Sequence, residues 1–224
     1  MAQTITAENP IKRIDAADSY LTLNEGTHII YLVTPIFGGL VKFDQIWLLG
    51  SDGKPFPVQS FASEEGFDSN TDPATVFVQR PENKQYVKNP NTKPQTQYRM
   101  IVAIEKNGKF ELKVLNLKKA LAEAFTSLVT PNEQLGGALL DNNDCVGTKI
   151  MVTVTKSGRK AFGYDIMEYK ANPVPQKSKP DFSDLIEQLD ELNIEDGLGG
   201  KTPQEVVERI NQRGIPFDFQ VVTK

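Results

Sequence analysis

Cysteine, histidine and tryptophan each occur once in this chain. With Cys145 alone, neither an internal disulfide nor a cysteine-based zinc site can form, which fits a reducing compartment and makes the cytoplasm the expected location. His28 lies inside an apolar stretch, so a Ser-His-Asp triad, a Cys-His pair or a multi-histidine metal site would each have to rest on a strand residue with no convergent partners. Long apolar runs are also missing. The longest, around His28–Val33, falls far short of a bilayer span, and Met1–Ile11 lacks the basic-then-apolar order of a signal peptide. Gly38-Gly39 and Gly197–Gly200 lack the lysine and hydroxyl of a phosphate-binding loop. The acids of the 60–73 loop, Glu64, Glu65, Asp68 and Asp72, miss the register of a calcium-binding loop. These absences predict a binding protein with no membrane role, no metal and no cofactor; an enzyme would need a carboxylate-only site assembled across loops.

Charge is unevenly distributed. The net charge of −4 would count against a polyanionic partner, since phosphate binding rests on Lys and Arg displacing counterions. Yet residues 1–170 carry 19 basic and 19 acidic groups, whereas residues 171–224 carry 6 and 10. Within the neutral part, residues 80–119 hold ten basic groups against three acids, a local net charge of +7.

The pattern of elements is mostly β. Residues 18–34 read as two strands broken at Asn24-Glu25-Gly26, Leu40–Leu49 as a third, and Ser51–Pro55 as a turn, together a β-meander. Ser60–Pro73 and Tyr86–Thr96 read as long loops on either side of Thr75–Gln79. Gln97–Lys106 and Lys109–Leu115 flank Asn107-Gly108, the pair preferred in a type I′ hairpin because both central residues need positive φ. Leu117, Leu121, Phe125 and Leu128 predict a helix over 117–129, capped by Asn116. A second hairpin follows, with strands over 148–155 and 161–169 and a turn at Lys156–Arg159. The expected organisation is a core over 1–170, a proline-stiffened linker over 171–180, and an acidic helical tail over 181–224. In that tail Phe182, Leu185, Ile186, Leu189 and Leu192 form an apolar stripe among seven acids. Thr202-Pro203-Gln204-Glu205 has the spacing of a capping box.

Two clusters pair cations with aromatic rings, as single-stranded nucleic acid requires: cations follow the phosphates while ring faces stack on bases, at about 1–3 kcal/mol per base. The first contains Arg80, Lys84, Tyr86, Lys88, Lys93, Tyr98 and Arg99. The second, at a hairpin tip and its returning strand, contains Lys156, Arg159, Lys160, Phe162 and Tyr164. The plainer reading of both is a solvated basic face or polar tip on an ordinary β scaffold.

In element order the chain resembles the single-stranded DNA-binding proteins of tailed bacteriophages. The similarity lies in Glu25–Val33, a glycine-containing insertion at Ser63–Pro73, a basic aromatic approach to the strand Tyr98–Ile104, the helix after Val114–Leu117, and the closing hairpin near Gly163–Ile166. The resemblance covers roughly residues 20–170 and rests on order and composition rather than on a unique motif. It implies an OB-type antiparallel barrel with one intervening helix, binding single-stranded DNA without sequence preference in phage DNA replication or recombination. It also implies an acidic tail that recruits replication or recombination proteins and competes with DNA. Members with a zinc subdomain carry Cys and His in the insertion; this insertion has neither, so zinc is not implied. The alternative is a phage structural or assembly protein whose β domain packs on other proteins, with residues 181–196 as a docking segment.

Overall fold

A computed structural model describes residues 20–87, 92–161, 163–183, 185, 189 and 200–220. Its organising element is the Asn107-Gly108 hairpin, where both residues have positive φ (52° and 73°), as a type I′ turn demands. Gln95–Lys106 and Lys109–Leu117 run back from it in unbroken antiparallel register from Lys106↔Lys109 to Tyr98↔Leu117. In chain order the strands are β1 (Tyr20–Leu21), β2 (Gly26–Leu32), β3 (Val41–Leu49), β4 (Pro55–Ser60), β5 (Gln95–Lys106), β6 (Lys109–Leu117), β7 (Lys149–Ala161) and β8 (Tyr164–Pro173). The helices of seven or more residues among those described are α1 (Pro73–Gln79), α2 (Lys119–Val129) and α3 (Pro203–Gln212). The protein is therefore mostly β with a minor helical part.

The eight strands form one open sheet rather than the expected closed barrel. The hydrogen-bonded path runs β1-β6-β5-β2-β7-β8, and a branch of β3 and β4 joins β5. The physical reason is α2. Its Leu121, Phe125 and Leu128 pack among Leu115 and Leu117 of β6, Val152 and Val154 of β7, and Met167 and Tyr169 of β8. The helix thus fills the space between the β6 and β8 ends, which share no hydrogen-bonded register. Three further expectations change. Tyr20–Leu21 pairs in parallel with Val114–Leu115 instead of forming a meander with β2. Lys156–Arg159 is a register shift within β7, where Gly158 takes φ 75°, and the chain reverses only after Ala161. Asn116 belongs to β6; Lys118 occupies the start of α2 and makes no side-chain cap bond.

Thr75–Gln79 lies within α1 because Asp72 and Pro73 together start a helix: Pro occupies the first turn and the Asp72 carboxylate accepts from Thr75 N. Asp72 is wholly buried and also accepts from Ser60 Oγ, Phe61 N and Thr75 Oγ1 at 2.8, 2.9 and 2.5 Å, so it ties the end of β4 to α1. On one side of β3 and β4, Ile46, Leu48, Phe56 and Val58 form a second core with Phe77 of α1.

The expected boundary at 170 falls inside β8, whose pairing continues to Ile150↔Pro173. One arm of the capping box forms, with Thr202 Oγ1 accepting from Glu205 N, while the Glu205 carboxylate accepts from Lys201 N rather than from Thr202 N. The helix it starts, however, is part of the core: Val206, Val207, Ile210, Ile215 and Phe217 are all buried in the second cluster. Gly214 closes α3 at φ 73°, where a Cβ would meet Ser51 Oγ at 2.4 Å, and Ser51 N donates to Arg213 O. Residues 200–217 are therefore not a tether, because their apolar groups supply one wall of the β3–β4 core. Ile210→Ala should lower unfolding stability by about 2–5 kcal/mol in urea denaturation, the cost of an unfilled cavity. A chain ending at Lys170 should lose the single cooperative transition of the full protein.

Candidate nucleic-acid interface

Because facing residues of antiparallel strands share a side, the register assigns each side chain to a face. One face of the sheet is covered by α2, α1 and α3. The other carries Tyr31, Ile101, Ala103 and Leu112 at one end, and Val41, Phe43, Gln45 and Trp47 of β3 opposite Arg99, Gln97 and Gln95 of β5 at the other. At the first end Phe182 and Leu185 are buried against the sheet, with Leu189 packed beside them. Tyr31, Phe110 and Phe182 meet edge to face at 5.0–6.4 Å. At the second end Phe43, Gln45 and Arg99 are buried, whereas Trp47 is 49% exposed.

Arg99 joins the two ends. Only 8% exposed, its guanidinium sits 5.1 Å from the Phe43 ring and 5.4 Å from the Tyr20 ring, and Nε donates to Asn116 Oδ1 at 2.8 Å. Burial pulls its pKa below the ordinary arginine value, partly offset by Tyr20. A planar cation held between two rings and an amide orders β1, β3, β5 and β6 together.

The first predicted cluster does not form one surface. Strand alternation sends Tyr98 to the helix-covered face, half-buried against the main core, while Arg99 points the other way. Tyr86 packs on Phe77 at 6.4 Å. Arg80 lies 5.0 Å over Phe217 and donates to Asp218 O. Lys84 and Lys93 are brought together: both are exposed and line one cavity of about 450 Å³ between α1, the Pro81–Tyr86 turn and the approach to β5. Lys88 lies outside the described residues.

In the second cluster, Lys156 pairs with Glu25 at 3.0 Å and Asp165 at 3.8 Å, and Arg159 with Glu168 at 3.9 Å. The Glu25 hydrogen bond and charge, then Asp165, raise the Lys156 pKa. Lys160 is exposed opposite Asp165. Phe162 lies outside the described residues, and of Tyr164 only the strand pairing with Ala161 is described. In the acidic segment Ile186 and Leu192 also lie outside them, while Phe182 and Leu185 face the sheet rather than solvent.

Reading the sequence overlooked Trp47, Phe43 and Tyr20. The apolar alternation of Val41–Leu49 was legible, but which side the helices cover depends on contacts with residues distant in the chain. Two acids of the 60–73 loop are occupied locally: Asp72 as above, and Asp68 by Asn70 N and Thr71 N. No group of three metal-ligating side chains is found among the described residues.

The chain matches no protein-family model and no curated protein. No described helix is long and apolar enough to cross a membrane.

Two measurements follow from this geometry. Arg99→Lys, which keeps the charge but loses the planar fork and ring contacts, should cost about 1–3 kcal/mol of stability by chemical denaturation. The second concerns pH. Burial, opposed by a hydrogen bond with Gln59 and reinforced by Asp44 and Asp72, raises the Glu64 carboxyl above its ordinary 4.5. A raised carboxyl pKa means the folded state holds the proton more tightly, so this stabilisation is full below pH 4.5 and fades as pH rises through the folded value. Glu64→Gln should flatten that part of the stability-against-pH curve.

Proposed function

We propose that the protein binds single-stranded DNA without sequence preference, through the Trp47 end of the sheet face. The observation that carries this reading is Trp47, a half-exposed indole on the same sheet face as the layer of Phe43, Arg99 and Tyr20. A flat ring open to solvent offers a stacking surface that accepts any base, since every base has a π-face. Gln95 and Gln97 on the same face can meet base or sugar edges. The phosphate-binding cation on this sheet face is Lys149, whose Nζ lies 5.7 Å from the Tyr31 ring, while Lys84 and Lys93 lie across β3 at the cavity beside Ile46. The mostly β fold class agrees with what the resemblance to phage single-stranded DNA-binding proteins implies, although the sheet is open, and on that resemblance we assign the protein to phage DNA replication or recombination in the host cytoplasm. Phe182 and Leu185 occupy the far end of the same face, which supports an acidic segment that competes with DNA and, when displaced, recruits a replication or recombination protein.

The second reading, a structural or assembly protein, draws on Ile29, Phe37, Leu139, Val146 and Ile166, large apolar side chains that are 36–53% exposed. Phe37 is held outward by a reciprocal pair with Asn142, its N–H donating to Asn142 Oδ1 and its carbonyl accepting from Nδ2.

Trp47 is the chain's only tryptophan, so its fluorescence reports on this face alone. Titration with oligo-dT should quench it, and the binding constant should fall with salt at a log–log slope of about −0.7 per phosphate contact. Trp47→Ala should weaken binding of a labelled oligonucleotide by about 1–3 kcal/mol without unfolding the protein. Unquenched fluorescence at saturating oligonucleotide, together with unchanged affinity in Trp47→Ala, would rule the reading out.

A further inference from the structure

The geometry points to a binding site for a single nucleoside phosphate in the cavity that contains Lys84 and Lys93. The inference takes its chemical class from the single-strand reading and its place from the cavity. At about 450 Å³ the space lies in the lower part of the range for small-molecule sites, roughly 300–1,000 Å³, enough for one nucleotide rather than a run of bases.

Its lining is of two kinds. Ile46, only 1% exposed, together with Val78 and Val87 gives it an apolar interior. Lys84 and Lys93 add two exposed ammonium groups, and neither makes an ion pair among the described residues. Among the described residues none that lines the cavity is acidic. A metal cation is disfavoured by the two ammonium charges and the lack of a carboxylate ligand. Inorganic phosphate would satisfy the lysines but leave the apolar wall unfilled. A flat, largely apolar ring attached to a phosphate satisfies both: the ring displaces water from the aliphatic wall, and the phosphate meets the lysines as compact point charges. Gln79, exposed on α1 and also lining the cavity, offers both a donor and an acceptor to the polar edge of a base. The described lining includes no aromatic ring, so the base is held by aliphatic contact and not by stacking. This separates it chemically from the Trp47 surface, on the opposite side of β3 from Ile46.

The nucleotide has two sources, free in solution or as one residue of a bound strand. Methyl-selective NMR on the full chain tests the site and separates them, using the resonances of Ile46, Val78 and Val87. Titration with 5′-dTMP should move all three saturably, and thymidine should bind several-fold more weakly because it lacks the phosphate. The double variant Lys84→Ala, Lys93→Ala, altered only at exposed positions, should weaken dTMP binding by about tenfold. Movement of the same methyls by oligo-dT assigns the site to a residue of a strand; movement by dTMP alone assigns it to free nucleotide. Methyls unmoved by both probes, thymidine binding as tightly as dTMP, or binding unchanged in the double variant would each overturn the inference. Failure of the single-strand reading is separately visible as absent quenching of Trp47 by oligo-dT.

Discussion

Strand β5 is hydrogen-bonded along both edges, and the rest of the molecule takes its position from that constraint. One edge pairs with β6 from Tyr98 to Lys106. The other is divided, with β3 on residues 95–99 and β2 on residues 102–103. A twelve-residue strand is long enough to serve two partners in succession, and the division branches the sheet. Each branch then needs its own apolar cover: α2 lies on the β2–β5–β6–β7 branch, and α1 with α3 on the β3–β4 branch. The result is two cores joined through one strand, with the opposite face of the sheet left for other uses.

On that opposite face the decisive group is the Arg99 guanidinium. A buried cation is costly unless its donors and charge are satisfied, and here Asn116 and two ring faces meet that need. The charge that makes Arg99 resemble a phosphate contact in sequence is thereby committed to holding Tyr20 and Phe43 in place. Lys156 and Arg159 of the β7–β8 hairpin are likewise paired with nearby acids, while Lys149 lies on this face beside Tyr31. The face itself is divided between an apolar end under Phe182 and Leu185 and an aromatic end at Trp47. A strand lying across it would meet first rings and then the acidic segment.

Local chemistry was readable from the amino acids alone. Asn107-Gly108 determines its hairpin because few other pairs tolerate positive φ at both central positions. The Leu121, Phe125, Leu128 spacing determines α2, and Thr202-Pro203-Gln204-Glu205 determines the start of α3, because helix period and capping act within a few residues. The mostly β character followed from the same short-range signals. Which strands become neighbours did not: Tyr20–Leu21 crosses to β6, and α2 keeps the sheet from closing, through contacts between segments far apart in the chain. The fate of residues 171–217 was hidden for a related reason. Composition records that this segment is acidic and rich in proline, but the partners for Phe182, Leu185, Val206 and Ile210 lie on β2, β3, β4, β5 and β6, and only the assembled sheet brings them together. The same holds for Tyr98 and Arg99. Alternation places them on opposite faces, and only tertiary packing decided which face was covered and that Trp47, on the other, would be left in solvent.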